Sequence, residues 1–551
     1  MVVTSSTVAE NAVCSCEGRK IRKNRRETDK GLGVSGGPGI KRDFTRKYRA
    51  YPCRAQHPHN SFLTAGISNS IIRSDNRFDN RRPDNPQVPV EAATKNSDSS
   101  ALLRRSFRKS FPPAVRGEGA CLWDARGKQY LDFSGSAAVN FIGHGVPEIL
   151  DAMTEQARQL EFVHSSQFTT PVAEEYAAEL LAFAGENFRG GAVYFTCGGS
   201  EAIEAALKLA RQYQVELGQT NRSQIISRNQ SYHGSTLGAV AVSRNQRRRE
   251  IYRPMVREFA SVGAPYCYRC AYDCTDGCVD CGQQYAAEVE QAISDSPGRV
   301  AAVILEPVSG ATLGAVVPPD GYLEKIAEIC RSHGVLLIAD EVMTGMGRTG
   351  RNFAVDHWNV APDILVTAKG LSSGYAPLGA VIVSKQVVEA IATGSGSFIH
   401  GYTYSSHPIS LAAGRAVLNY VQRMNLAEAA DSERAASIAT TLKLSLDQLR
   451  SLDSVGDVRG VGLLWAVEFV ANKATKAPLP SEMNFCGRVA EAAIERGLLV
   501  YPVQGCVDGD HGDHILIAPP AVISEDQISQ AVDHLAAAIE QASPPAPYRK
   551  I

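Results

Sequence analysis

Two short apolar runs that each end at a charged residue constrain this chain of 551 residues more than any other feature. Val335–Ala339 is followed by Asp340–Glu341, and Ile364–Ala368 is followed by Lys369. Such runs are typical of buried strands, and in open α/β sheets the functional groups gather at the carboxyl ends of the strands. A lysine that is removed from water has a lowered pKa and can attack a carbonyl carbon. The pattern predicts a carboxylate and a reactive amine at one edge of a sheet.

This pair of groups suits pyridoxal phosphate (PLP), because a lysine can hold its aldehyde and a carboxylate can keep its pyridine nitrogen protonated. The segments IADEV, GRTG and DILVTAKGLSSG, in this order and spacing, closely resemble the signature of class III PLP-dependent aminotransferases. The resemblance extends over about 112–542. It implies an α/β protein of PLP-dependent transferase fold type I. That fold has a large domain with a mostly parallel seven-stranded sheet and a smaller α+β domain.

The resemblance implies a transaminase that moves an amino group from an amine or omega-amino compound to a keto acid by a ping-pong mechanism. In such an enzyme Lys369 is the catalytic base and Asp340 stabilises the electron-rich cofactor. Racemases, aminomutases and decarboxylases of the same family use the same lysine and aspartate, so these reactions remain the alternative. A scaffold function is disfavoured because the full set of cofactor residues is present.

A glycine-rich junction between a strand and a helix provides a candidate phosphate site. The apolar run 192–196 predicts a strand, and Gly198, Gly199 and Ser200 precede a segment with helical spacing. Glycines at a helix start let the backbone approach an anion, which the free N–H groups attract. Read alone, the motif favours a plain glycine turn with Ser200 as helix cap. The family resemblance implies that Gly199 and Ser200 bind the PLP phosphate.

Four further cofactor-binding residues follow from the resemblance. Tyr232 would stack on the cofactor ring and Val342 would pack on the opposite face, although a core tyrosine is the alternative. Glu306 ends the apolar run 300–305 and would belong to the polar surroundings of the cofactor, unless it is a structural carboxylate. Thr403 would reach the PLP phosphate of a neighbouring subunit, which implies a homodimer with shared active sites.

The residues that select the substrate differ from those of the best-known relatives. Ornithine- and GABA-type relatives carry an arginine just before a final Ala-Pro-Pro, and a glutamate that pairs with it. This chain has Leu516 and Ala311 at those positions. The loss of both residues of the ion pair is consistent, because either one left alone would be an unpaired buried charge. His511 and Arg459 are candidates for the missing carboxylate-binding residue, but a solvated loop and a structural role are the competing interpretations. We therefore expect an amine donor whose amino group is distant from any α-carboxylate.

Composition limits the other partners of the chain. The formal net charge of −1 indicates no nucleic-acid partner. The sequence has no run of 18 apolar residues, so we expect no membrane span. The 13 cysteines, without a secretory signal, favour free thiols. Five of them, which lie between Cys267 and Cys281, could bind zinc, form a disulfide or remain free thiols. We therefore predict no metal ligand in the chain.

The chain divides by composition into four predicted parts. Residues 1–110 form a basic and polar extension that we expect to be disordered. A mitochondrial presequence, a basic or nuclear signal and an extension without function are the three interpretations of it. Residues 111–165 would begin the small domain, 166–410 would form the PLP-binding large domain, and 411–551 would complete the small domain. We expect a cytoplasmic location, with mitochondria as the alternative.

Overall fold

The structure is a computed structural model, and it describes residues 101–107, 109, 111–272 and 280–543. All of these belong to one compact unit, Pro86–Ile551. The disorder predicted for the N-terminal extension falls almost entirely outside the described residues. Cys274 and Cys278 also fall outside them.

Fifteen strands are present in the described part of the chain. In chain order they are β1 (Ala114–Glu118), β2 (Cys121–Asp124), β3 (Gln129–Asp132), β4 (Ala192–Thr196), β5 (Gln224–Arg228), β6 (Ser261–Val262), β7 (Val300–Leu305), β8 (Leu336–Asp340), β9 (Ile364–Thr367), β10 (Gly379–Val383), β11 (Val455–Val461), β12 (Leu464–Phe469), β13 (Leu498–Leu499), β14 (Tyr501–Gln504) and β15 (Asp513–Ile517).

The helices connect these strands and cover them. In chain order the α-helices of the described residues are α1 (Gly135–Ala138), α2 (Pro147–Gln159), α3 (Pro171–Phe183), α4 (Gly199–Glu216), α5 (Leu237–Val242), α6 (Gln246–Arg249), α7 (Cys281–Ser294), α8 (Tyr322–Ser332), α9 (Lys385–Thr393), α10 (Pro408–Arg423), α11 (Glu433–Asp447), α12 (Phe485–Glu495) and α13 (Glu525–Ala542). The short α1 is a left-handed turn, because the φ angles of Ser136, Ala137 and Ala138 are 50°, 65° and 60°. None of the described helices has both the length and the apolar character of a membrane span.

The central sheet has seven strands in the order β4–β10–β9–β8–β7–β5–β6. Strand β10 runs antiparallel to both of its neighbours, and the other four pairings are parallel. The predicted mostly parallel seven-stranded sheet is therefore confirmed. Strands β7 to β10 are buried at every residue, which explains why they are continuous apolar runs rather than alternating ones.

Two apolar clusters cover the two faces of this sheet. Leu337 and Leu365 belong to one cluster, whereas the next residues along the same strands, Ile338 and Val366, belong to the other. This alternation follows from the pleat of a strand, in which successive side chains point to opposite faces. Helix α4 packs against β9 and β10, so its first turn lies at the edge of the sheet where the strands end.

Two four-stranded sheets complete the fold. One has the order β1–β2–β3–β13 and contains a hairpin of β2 and β3, which the short apolar runs on both sides of the turn at 125–127 predict. Its strand β13 comes from far along the chain and pairs parallel to β3, with Leu498 opposite Leu131. The other has the order β11–β12–β15–β14. Ser524 and Gln527 have the spacing that predicts a capping box, and helix α13 begins at this box.

Most predicted elements are present, and their ends differ slightly. The strand predicted at 335–339 occupies Leu336–Asp340, so Asp340 is its last residue rather than the residue after it. The strand predicted at 364–368 ends at Thr367. The helical spacing of Ile149, Met153 and Ala157 predicts a helix from Pro147 to Phe162. Helix α2 instead ends at Gln159, because Leu160 is extended, with φ −162° and ψ 112°.

Candidate active site

A cavity of about 480 Å³ opens at the carboxyl ends of the parallel strands. This volume is typical of a site for a small ligand. Seven of the eight residues predicted for the site line the cavity: Gly199, Ser200, Tyr232, Glu306, Asp340, Val342 and Lys369. The eighth, Thr403, does not line it in the single chain.

Lys369 follows strand β9 and presents its amine to this cavity. Its φ angle is 41°, a left-handed conformation that residues other than glycine rarely adopt and that is often retained at functional sites. Burial lowers the pKa of Lys369 from its ordinary 10.5 to about 8, with the carboxylates of Asp340 and Glu306 acting in the opposite direction. A substantial fraction of the amine is therefore neutral near pH 8 and can act as a nucleophile or a base.

Asp340 closes strand β8, and both of its carboxylate oxygens are held in place. Oδ1 accepts a hydrogen bond from the backbone N–H of Val342 at 3.0 Å, and Oδ2 lies 2.7 Å from Nδ1 of His233. The second contact requires the imidazole to carry a proton on Nδ1. Nε2 of His233 is buried and has no hydrogen-bond partner among the described residues.

The role of His233 is absent from the sequence prediction, although the residue lies between Tyr232 and Gly234 of a segment that was singled out. A histidine inside this motif was the available sequence signal. The structure shows that it fixes the position of the Asp340 carboxylate.

The first turn of α4 forms the predicted anion site. The helix begins at Gly199 after an extended Gly198, and the Ser200 hydroxyl accepts a hydrogen bond from Ser235 N at 3.0 Å. A Cβ atom on Gly199 would stand 3.0 Å from Cγ1 of Val342, so glycine keeps the space between the helix and Val342 open. Free N–H groups and the positive end of the helix dipole favour a phosphate at this position.

Tyr232 and Glu306 form part of the remaining wall. The Tyr232 hydroxyl lies 3.0 Å from Oγ of Ser235, and its ring is partly buried beside the cavity. Glu306 is buried, which raises the pKa of its carboxyl group. Its Oε1 accepts a hydrogen bond from Gly310 N at 3.0 Å, so the carboxylate also has a structural contact.

The neighbouring acid Glu341 does not line the cavity. It is fully buried and accepts hydrogen bonds from the Thr344 hydroxyl and from Val355 N. Burial raises its pKa to about 7. Glu341 therefore organises the loop that follows β8, while Asp340 faces the cavity.

Neither candidate for binding the substrate carboxylate lines the cavity. Arg459 donates hydrogen bonds to Glu468 Oε2 at 2.8 Å and to the carbonyl of Gly314 at 2.7 Å. His511 is exposed and lies 2.7 Å from Asp508 Oδ2, and this contact raises the pKa of the histidine. Both observations agree with the alternative interpretations of these two residues.

The cavity contains an arginine that the sequence did not indicate. Arg248, on the short helix α6, lines it together with Tyr501. Its segment has neither apolar periodicity nor a recognisable motif, so no sequence signal distinguished it from the adjacent arginines.

The cysteine-rich segment is described only in part. Cys267, Cys270 and Cys281 are within the described residues, and no group of three or more possible ligands among those residues is placed to hold a metal ion. The zinc, disulfide and thiol interpretations therefore stay open.

The residues of the cavity fit PLP. The space beside Gly199, which a Cβ atom would fill, adjoins the anion site, and a fixed carboxylate and a lysine of lowered pKa face the same cavity. These are the groups that bind the phosphate, the ring nitrogen and the aldehyde of this cofactor.

Comparison with known proteins agrees with this fit. The family model for class III aminotransferases matches residues 105–539. The uncharacterized aminotransferase YodT of Bacillus subtilis is 39% identical over 436 residues, which cover 79% of this chain and 96% of the relative. An (S)-enantioselective omega-transaminase from Thermomicrobium roseum, whose crystal structure is known, is 36% identical in sequence and superposes with a TM-score of 0.75. The similarity covers 82% of this chain and 98% of that one.

A second solved structure bears on the cofactor. An amine transaminase from an uncultivated Pseudomonas species, crystallised in its PLP-bound form, is 32% identical with a TM-score of 0.74. The similarity covers 81% of this chain and 98% of that one. The predicted fold type I, the PLP cofactor and the transfer of amino groups are thereby confirmed, and nothing favours racemisation or decarboxylation. The chain belongs to the class III aminotransferases, PLP-dependent enzymes that move an amino group between an amine and a keto acid.

Proposed function

We propose that this aminotransferase takes the amino group from an amine or omega-amino compound without a nearby carboxylate and delivers it to a keto acid. The observation that carries the proposal is the absence of the usual ion pair. Leu516 is buried in β15, and Ala311 stands in the cavity wall where an acid would pair with an arginine. A wall of this kind favours an apolar substituent next to the reacting carbon. The similarity of the chain to an omega-transaminase and to an amine transaminase of known structure supports this choice of donor.

Lys369 and Asp340 are the proposed catalytic residues. When bound, the cofactor supplies an electron sink that acidifies the carbon bearing the amino group. Lys369 holds the cofactor and then, as a neutral amine, moves the proton from that carbon. The Asp340 carboxylate, fixed by His233 and by the Val342 N–H, keeps the proton on the ring nitrogen.

The other cofactor contacts are part of the same proposal. Gly199 and Ser200 bind the phosphate at the first turn of α4. Tyr232 and Val342 enclose the ring, and Glu306 contributes negative charge at the cavity wall. The position of all five in one cavity supports these assignments.

A homodimer with shared active sites completes the proposed enzyme. Thr403 lies in an exposed loop, and Tyr404 beside it is 58% exposed in the single chain. The rings of Tyr404 and Phe162 are 5.6 Å apart, and Ile399 of the same loop is 75% exposed. Exposed apolar side chains of this kind are typical of a surface that a partner covers, which supports a role for Thr403 at the phosphate of the second subunit.

The predicted domains and location remain proposals of the same kind. Residues 111–165 and 411–551 would form the small domain, and 166–410 the large one. The pairing of β3 with β13 supports the assignment of both chain regions to one small domain. The cytoplasm is the proposed location, with mitochondria as the alternative.

The test is the absorbance of the purified enzyme with PLP, before and after single amino donors are added without an acceptor. We expect an amine without a carboxylate to bleach the yellow cofactor, and pyruvate to restore the colour. Bleaching only by α-amino acids would contradict the proposed donor. Consumption of a donor without any bleaching would instead favour a racemase, mutase or decarboxylase.

A further inference from the structure

Arg248 lines the cavity, but it has no role in the proposed chemistry. Among the described residues that line the cavity, the lysine and arginine side chains are those of Lys369 and Arg248. Lys369 is partly buried, whereas Arg248 is exposed in the single chain and therefore lies toward the cavity mouth. A substrate that enters the cavity passes this second positive charge before it reaches the amine.

The two arginines beside Arg248 have other partners. Arg247 donates hydrogen bonds to Gln504 Oε1 at 2.7 Å and to the carbonyl of Asp510 at 2.9 Å. Arg249 donates to Glu258 Oε2. Arg248 has no carboxylate within 4.0 Å among the described residues, so its charge is available to a ligand.

Two tyrosines hold the guanidinium in place. Its central carbon lies 4.6 Å from the centroid of the Tyr232 ring, and Nη2 lies 3.4 Å from the hydroxyl of Tyr501. A guanidinium that lies over an aromatic ring can keep N–H donors free for a ligand, since it carries five of them. The pair of donors that a carboxylate requires can therefore be offered without moving the side chain far.

We propose that Arg248, positioned by Tyr232 and Tyr501, binds the carboxylate of the keto-acid acceptor. This inference rests on the proposed function, which requires an acceptor of that class. Leu516 and Ala311 leave the acceptor carboxylate without the usual ion pair, and Arg248 supplies the missing positive charge from a different element of the fold. A donor amine without a carboxylate makes no such contact, so the two substrates depend unequally on this residue.

The experiment compares the holoenzymes of the wild type, Arg248→Ala, Arg248→Lys and Arg247→Ala. Pyruvate binding is measured by calorimetry while the cofactor carries no amino group, so that pyruvate can bind but has nothing to accept. The two half-reactions are then followed separately by absorbance, with 1-phenylethylamine as donor and pyruvate as acceptor. Arg247→Ala is the matched control, since it removes the same charge from the adjacent position.

We expect Arg248→Ala to weaken pyruvate binding and to slow the acceptor half-reaction at low pyruvate about 10- to 100-fold, as for the loss of a hydrogen-bonded charge pair. Arg248→Lys keeps the charge but loses the paired N–H donors of the guanidinium, so its pyruvate affinity should lie between those of the wild type and Arg248→Ala. The donor half-reaction should stay within about twofold of the wild type, and Arg247→Ala should resemble the wild type throughout.

The inference would be overturned if Arg248→Ala and the wild type bound pyruvate with equal affinity. It would also be overturned if the wild-type holoenzyme bound no pyruvate. A loss of PLP affinity in Arg248→Ala with unchanged pyruvate binding would assign the arginine to the cofactor instead. If no donor bleaches the wild-type cofactor, the proposed function fails, while the calorimetric comparison still decides the role of Arg248.

Discussion

The pKa of Lys369 leads to a quantitative prediction about how the enzyme without cofactor captures PLP. Only the neutral amine attacks the aldehyde. An ordinary lysine of pKa 10.5 is about 0.03% neutral at pH 7, whereas a lysine of pKa about 8 is about 9% neutral. The reactive fraction of Lys369 is therefore about 300-fold larger than that of a surface lysine at the same pH.

The rate of capture should follow the titration of this amine. Below pH 8 the rate should rise about tenfold with each unit of pH, and it should level off above the pKa of about 8. Stopped-flow absorbance of the apoenzyme mixed with PLP measures this rate. N-acetyl-lysine methyl amide with PLP provides the control, because it reports the titration of the aldehyde together with an ordinary amine.

A variant tests the carboxylate charge that opposes the effect of burial on the pKa of Lys369. The carboxylate of Glu306 raises the pKa of Lys369, so Glu306→Gln should move the inflection to a lower pH. Lys369→Ala should capture no PLP covalently. A rate that keeps rising tenfold per unit up to pH 10, as in the control amine, would refute the argument that burial makes Lys369 reactive.

Three further variants test the cofactor site and the core. Asp340→Asn should lower the rate of amino-group transfer about 100- to 1,000-fold in a coupled assay, because it removes the fixed negative charge. Gly199→Ala should lower PLP affinity about tenfold in an equilibrium titration, since the added methyl group crowds Val342 at 3.0 Å. Leu535→Ala, in the core face of α13, should reduce the free energy of unfolding by about 2–5 kcal/mol in urea denaturation.

Each of these variants has its own control. An unchanged far-UV circular dichroism spectrum must accompany the loss of activity in Asp340→Asn, and a rate within tenfold of the wild type would contradict its role. Equal PLP affinity in Gly199→Ala would show that the phosphate binds elsewhere. The exposed Glu540→Ala on the same helix as Leu535 should leave stability unchanged, and equal effects at both positions would contradict the packing argument.

The sequence predicted those parts of the site that depend on regular strands and local motifs. Strands β8 and β9 are continuous apolar runs, so the position of Asp340 and Lys369 at their ends could be inferred before any coordinates. Gly199 and Ser200 were found in the same way, because a glycine-rich start of a helix has a local signature. The predicted ends were uncertain by one to three residues, since helix and strand termini depend on tertiary contacts.

The sequence could not predict contacts made by side chains from distant, irregular segments. His233 reaches Asp340 across 107 positions of the chain, and no periodicity connects them. Arg248 differs from Arg247 and Arg249 only in the direction that α6 gives it. His511 was considered because it lies near the expected motif, and Arg459 was a second candidate, yet the fold directs them to Asp508 and Glu468.

The parallel pairing of β3 with β13 has a consequence for synthesis of the chain. Leu131 leaves the ribosome several hundred residues before its partner Leu498. At roughly 5–20 residues per second, β3 waits for tens of seconds with one edge unpaired. An open edge of this kind can pair with another nascent chain. We therefore expect yield in a recombinant host to depend on chaperone supply and on a slow rate of translation more than on the stability of the finished enzyme.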